Sequence, residues 1–409
     1  MNGSYQLESF TKNKESEVKR LKAQVSLFFD KEFALYQQLG LKDGMRIIEC
    51  GSGPGYLIKG ILERLPNSKA TALEIDPFLV EVLTENSVQN GKKLFDVVSG
   101  SIYETQLPSE TYDFVITRLV VEHLQEPLKA LREVRRILKP GGKFVIVSND
   151  FAYHILTYPA ISELDEMYNA YCNLRKAENG NALVGRQLPA MLEIAGFGNI
   201  DFEVICAHSR ILGDAAFLQA ENVNISKSLV EKGFLKKETL AALVEKWFEM
   251  LKTPDHVLYR QLFVASGQKL ENDQLKNTNI QAETITKPEV TEVDAQREKF
   301  QKLFGKNSPK STADQSFSTS NTNSQSESSQ VVNFADVEGN ILKVWQNILS
   351  NPQISSNDNY FDIGGDSVLI PEIIEKLANE YNIKLSVMHV FEYPTVKLLS
   401  DFVRKQSHK

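Results

Sequence analysis

Cysteine is scarce and scattered. The three in 409 residues, Cys50, Cys172 and Cys206, are odd in number and share no paired spacing. That excludes a disulfide framework and argues against a cysteine zinc site. Basic residues are outnumbered, 46 Lys and Arg against 53 Asp and Glu, for a net charge of −7. Nucleic acid demands a basic footprint, so no nucleic-acid partner is expected. No apolar run approaches the roughly 20 residues that a membrane-spanning helix needs. The opening stretch, MNGSYQLESFTKNKESEVKR, is polar and has no apolar signal core. The expectation is a cytoplasmic protein without a membrane partner. Histidine, the usual acid–base group near neutral pH, occurs six times, so its candidates are few. Asn149-Asp150 has no further acid cluster around it, and no metal is expected.

What is present is an alternation of strands and helices over the first two thirds. Residues 13–40 carry helical spacing (Val18, Leu21, Val25, Phe28, Phe29, Phe33, Leu35, Tyr36, Leu39), a helical lead-in on or over a pocket. IIEC at Ile47 begins a strand, and 56–65 a helix. Residues 70–75, 95–98, 112–117 and 143–148 read as further strands, with helices at 77–88 and 127–138. LKPGG reads as a tight turn before the strand KFVIVS. Short apolar strands between amphipathic helices imply a parallel sheet covered on both faces, with ligands at the strands' carboxyl ends. Beyond Asp150, 159–178 and 214–252 read as helical lid insertions, and 201–207 and 256–266 as the last strands.

The stretch Ile47–Gly55, IIECGSGPG, joins strand to helix through glycines. A dinucleotide fingerprint needs a sixth-position glycine, and Tyr56 stands there. No Gly-Lys-Ser/Thr follows, so a phosphate-cradling P-loop fails too. Glu74, about twenty residues on, can accept both hydroxyls of a ribose.

These residues resemble the class I S-adenosylmethionine-dependent methyltransferases. ECGSGPG, LEIDP, YDFVITRLVVEHLQEP and LKPGGKFVIVS match that family's motifs in order, over about residues 15–267. The resemblance implies a Rossmann-like, doubly wound, mainly parallel sheet with S-adenosylmethionine as cofactor. It places Glu49, Gly51, Gly53 and Gly55 around the methionine moiety and Glu74 on the ribose. Ser101 stands where the family often has an adenine-contacting acid, and Ile102 packs the ring. Arg118 either faces an anionic group or pairs with Glu122. Methyl transfer needs an aligned nucleophile, exclusion of water and, for a hydroxyl, a base. His154, His123 and His208 are the base candidates. Cys50 reads as a packed side chain.

After Gly267 the composition turns polar. Residues 268–332 read as a disordered linker, with a helix around 292–304. Residues 333–409 regain amphipathic spacing and read as an all-α four-helix bundle. There, NYFDIGGDSVLIPEIIEKL, with VWQNIL before it and FEYPTVKLLSDF after it, resembles the attachment site of phosphopantetheine carrier domains of the peptidyl type. The resemblance makes Ser367 the site of a covalent 4′-phosphopantetheine arm, added by a phosphopantetheinyl transferase. A helix N-terminus favours the resulting phosphodiester.

Together the two resemblances imply methylation of an acyl or aminoacyl intermediate on the arm, in nonribosomal peptide or polyketide synthesis, with oxygen favoured over nitrogen or carbon. These 409 residues hold no adenylation, condensation or ketosynthase module, so partner synthetases are expected to load the carrier. A free small-molecule substrate and an inactive scaffold are the alternatives.

Overall fold

Ile47 and Ile48 are both fully buried, yet they belong to different cores. In a strand, successive side chains point to opposite faces. Phe114 and Ile116 accordingly join Ile47, while Val115 joins Ile48. Val145 and Val147 likewise separate from Phe144 and Ile146. Such strands are apolar throughout because both faces of their sheet are covered. The computed structural model describes residues 14–220, 224–270, 336–361, 363, 365 and 369–406.

Helix α1 (Lys14–Gln38) leads into β1 (Arg46–Cys50), α2 (Tyr56–Arg64), β2 (Lys69–Glu74), α3 (Pro77–Asn86) and β3 (Asp96–Ser99). Then come β4 (Tyr112–Arg118), α4 (Pro127–Ile137), β5 (Leu138–Ser148), β6 (Ile155–Tyr158) and α5 (Ser162–Ala177). Helix α6 (Leu188–Ile194), β7 (Gly198–His208) and the short α7 (Ser209–Leu212) follow. Helices α8 (Asp214–Ala220), α9 (Asn224–Glu231) and α10 (Lys237–Lys252) precede β8 (Val257–Gln268). The sheet runs β3-β2-β1-β4-β5-β8-β6, with β7 also paired to β8. The first five strands are parallel, and β8 is antiparallel to β5, β6 and β7. Tyr259 pairs with both Leu156 and His208, so β6 and β7 occupy opposite edges of β8.

Two sequence expectations need correcting. LKPGG is not a turn ahead of a strand but a bulge inside one. From Tyr112 to Phe114, β4 advances two residues while its partner advances from Leu138 to Lys143. The displaced residues are held by β8's end, where Gly141 N–H donates to Lys269 O at 2.7 Å. Helix α1, moreover, does not bury a purely apolar stripe. Glu17, Gln24 and Glu32 face inward with Leu27, Phe28, Phe33 and Tyr36, while Val18 and Val25 stay half-buried.

The buried acid is neutralised across the fold. Arg118, at the end of β4, donates through Nε to both Glu32 oxygens at 3.0 Å, and its Nη2 lies 2.9 Å from Oε1. Its Nη2 also donates to Gln24 O at 2.9 Å, and Tyr36 Oη to Glu32 Oε2 at 3.0 Å. The partner of Arg118 is therefore Glu32, not Glu122.

The C-terminal segment contributes α11 (Val337–Ile348), α12 (Ile370–Tyr381), α13 (Val387–Glu392) and α14 (Val396–Gln406). Val337, Ile341 and Trp345 face Ile373, Leu377, Val390, Leu399 and Val403 in an apolar interior. Trp345 meets the Tyr360 ring edge-on at 5.0 Å. Gly365 N–H donates to Tyr360 O at 2.8 Å, which anchors the loop ahead of α12. Ser367 and residues 271–335, hence most of the expected linker and its helix, lie outside the described residues.

Removing one member of a buried ion pair strands the other, at a cost of about 3–5 kcal/mol. Glu32→Ala is expected to lose about that much in chemical denaturation. The double change Glu32→Leu with Arg118→Met is expected to recover most of it. A single-mutant loss within about 0.5 kcal/mol would mean the pair contributes nothing.

Candidate functional site

The carboxyl ends of β1, β2, β4 and β5 open on a cavity of about 210 Å³. Its floor is the turn after β1. Gly51 has φ +76, and a Cβ there would stand 2.4 Å from Val120 Cγ2, so only glycine fits. Gly53 has φ +54 with nothing within 4 Å of a would-be Cβ, which leaves the backbone bare toward a ligand. Gly55 caps α2 without a side chain. The capping group comes from β1 instead: Glu49 Oε2 accepts from Ile58 N–H at 3.2 Å.

Two of the acids in the cavity wall, Glu49 and Glu74, flank the glycine turn. Glu74 closes β2; its Oε2 accepts from Gly53 N–H at 2.8 Å, and its Oε1 from Ile75 and Asp76 N–H at 2.8 and 3.0 Å. Each carboxylate oxygen keeps acceptor capacity beyond these bonds. Burial raises the Glu74 carboxyl, against the pull of those amides. Burial pushes Glu49 up to about 8, against the nearby Arg118 cation.

At the other side of the wall stand His123, Glu122, Asn149, Phe151, His154 and Tyr171. Glu122 is buried; it accepts from Ser148 Oγ and, through Oε1, from Asn149 Nδ2 at 2.9 Å. Burial raises its carboxyl above the ordinary range. His154 stacks on Phe151 at 4.4 Å and meets Tyr168 edge-on at 5.5 Å. Burial, then the cations of Arg175 and Arg20, hold His123 down to about 3, so its imidazole is neutral at pH 7.

Of the residues singled out from the sequence, Glu49, Gly51, Gly53, Glu74, Arg118, His123 and His154 line the cavity. Gly55, Ser101, Ile102 and His208 are not part of its wall. Ile102 is buried in the core on the second face, and Ser101 Oγ accepts from Tyr103 N–H at 3.2 Å. His208 ends β7, with its ring 6.2 Å from Tyr259. Asp150 binds Arg186 through both oxygens. Cys50 is fully buried, and burial pushes its thiol up.

The sequence reading missed Arg20, Gln24, Tyr171 and Arg260, which also line the cavity. With its side-chain amide turned so that the oxygen faces the cations, Gln24 accepts from Arg20 Nη1 at 3.3 Å and Arg260 Nη2 at 3.1 Å. The signal was the i, i+4 spacing of Arg20 and Gln24, and a lone arginine within the apolar run VLYRQLFVAS.

Residues 48–146 match the methyltransferase domain model, and residues 340–403 match the phosphopantetheine attachment site model. An uncharacterised methyltransferase of Schizosaccharomyces pombe is 30% identical over 149 residues, 35% of this chain and 53% of that protein. A malonyl-[acyl-carrier protein] O-methyltransferase of Paenibacillus is 24% identical over 157 residues, 38% of this chain and 56% of that protein. Bacitracin synthase 2 of Bacillus licheniformis is 38% identical over 72 residues, 18% of this chain and 3% of that protein. The chain thus spans about half the length, or far less, of these relatives. It carries a class I S-adenosylmethionine-dependent methyltransferase domain joined to a C-terminal phosphopantetheine carrier domain.

The site fits that cofactor: an open glycine cradle lies beside a carboxylate with spare acceptor capacity. The cofactor's sulfonium is a cation, and a cation near Glu49 favours its ionised form. A carboxyl raised to about 8 from an ordinary 4.5 penalises the folded protein as pH climbs between those values. Binding is expected to relieve that penalty by releasing the Glu49 proton. Affinity for S-adenosylmethionine should therefore rise from pH about 6 to about 8 and then level off. Glu49→Gln should flatten the slope. Calorimetry in buffers of differing ionisation enthalpy reads the proton; identical slopes for both proteins would refute the assignment.

Proposed function

We propose that the protein transfers a methyl group from S-adenosylmethionine to an oxygen of an acyl or aminoacyl group held as a thioester on the arm at Ser367. The observation that carries this reading is the joining, on one chain, of an acid-lined glycine cradle and a phosphopantetheine attachment sequence. One relative is named for O-methylation of a carrier-bound malonyl group, which supports both oxygen and a tethered substrate. A phosphopantetheinyl transferase and synthetase modules are the partners this requires.

In this reading Glu74 takes the ribose hydroxyls. Gly51, Gly53 and Glu49 border the methionine part, with Gly55 fixing the start of α2. Ser101 and Ile102, beyond the end of β3 and outside the cavity wall, are assigned to the adenine end by the family resemblance alone. Arg118 acts through its pair with Glu32 and keeps α1 in the cavity wall. S-adenosylmethionine supplies an already activated methyl group. The protein's own task is to align the acceptor oxygen, exclude water and, for a hydroxyl, take its proton. His154, in the wall among aromatic rings, is the base assigned to that task. His208 is outside the wall and is given no role.

The test loads the full chain with candidate acyl groups, adds S-adenosylmethionine and follows the intact mass for one added methyl. Ser367→Ala is expected to abolish arm attachment and tethered turnover while leaving S-adenosylmethionine affinity within about twofold. Turnover of free acids or alcohols with none on any loaded arm would favour a free substrate. Cofactor binding lost together with the arm would contradict two separate modules.

A further inference from the structure

Helix α5 lends Tyr171 to the cavity wall and sets Arg175 behind that wall, against Glu122 and His123. Arg175 is 2% exposed, and its Nη2 lies 3.4 Å from Glu122 O and 3.4 Å from His123 Nδ1. Its Nη1 is 3.0 Å from Glu178 Oε2, one turn along. A guanidinium has five N–H donors and no acceptor. Whatever ring nitrogen it contacts must therefore supply the lone pair. His123 Nδ1 is the acceptor, and in a neutral imidazole the proton then sits on Nε2. The acid nearest in sequence does not offer the alternative: the Glu122 oxygens accept from Ser148 and Asn149 instead.

We infer that Arg175 is a positioning residue that locks His123 as the Nε2–H tautomer, so that His123 serves the reaction as a hydrogen-bond donor to an oxygen of the substrate and not as its base. The role in turnover rests on the proposed methyl transfer; the tautomer does not. The neutral ring follows from the same surroundings, where burial and the cations of Arg175 and Arg20 oppose a further proton. The assignment narrows the substrate: the group beside His123 must accept a hydrogen bond, as a carbonyl or carboxylate oxygen does and an ammonium does not. It also leaves proton removal, where any is needed, to His154.

The test has two arms on the full chain. Two-bond hydrogen–nitrogen correlation of the 15N-labelled protein at pH 7 is expected to give His123 the Nε2–H pattern. That pattern should persist to pH about 5, well below the ordinary imidazole range. Arg175→Lys keeps a donor and should keep the pattern, whereas Arg175→Met should mix the tautomers. An Nδ1–H pattern, or a charged His123 at pH 6, overturns the inference. In the second arm, His123→Gln retains an N–H near the Nε2 position but cannot act as a base. It is expected to hold kcat within about tenfold, while His123→Phe loses about 100-fold, with S-adenosylmethionine affinity unchanged in both. Equal loss in both variants overturns the donor role. Because Arg175 is buried, its variants risk the fold; the wild-type spectrum and the two His123 variants then decide. Should the wild-type chain methylate nothing, the proposed function falls and the spectrum alone decides the tautomer.

Discussion

The cavity depends on one buried ion pair. Arg118 ends the strand that points at the ligand, and Glu32 belongs to the helix that closes the wall. Neither is tolerable alone: an unpaired charge at that depth costs several kcal/mol. Here the guanidinium meets both carboxylate oxygens and the Gln24 carbonyl, and Tyr36 adds a further donor to Glu32. A network whose members are all satisfied holds α1 against the sheet more firmly than apolar packing alone, because a shifted helix would leave charges bare. Gln24 shows how much converges there. Its backbone oxygen takes Arg118, and its side-chain oxygen, with the amide turned toward the cations, takes Arg20 and Arg260.

That arrangement gives the cavity a direction. Two acids lie at the glycine turn, and two histidines lie on the opposite wall. Glu49 is raised by burial and drawn back by Arg118, so its protonation state is poised between the two. Glu74 has three backbone amides to oppose its burial. The turn therefore suits a ligand that brings both hydroxyl donors and positive charge. The same turn, with Tyr56 where a dinucleotide needs glycine, does not suit a pyrophosphate.

What was legible in the sequence was local or periodic. The glycine turn, Glu74 and the alternating strands stand out because steric demands and two-sided burial act on neighbouring residues. The helical pattern of the carrier segment was readable for the same reason. Polar residues inside an amphipathic helix were not. Counting apolar positions treats Glu17, Gln24 and Glu32 as solvent-facing, and only their partners on distant strands show otherwise. Strand β6 was missed because four residues within HILTYP carry too little pattern, and it exists through its pairing with β8. The LKPGG bulge escaped because proline and glycine signal a turn equally well whether it lies between elements or inside one. The cavity wall draws Arg20, Glu122, Tyr171 and Arg260 from segments up to 240 positions apart, and no local rule collects them.

A tethered substrate changes what such a cavity must do. A free acyl group would need enough contact surface to overcome its loss of translational freedom. On an arm it arrives at millimolar effective concentration with no affinity of its own. Contacts can then be reserved for alignment, which acts on the rate of transfer, and need not strengthen ground-state binding. A single hydrogen bond aimed from a fixed tautomer is the kind of contact that suffices there.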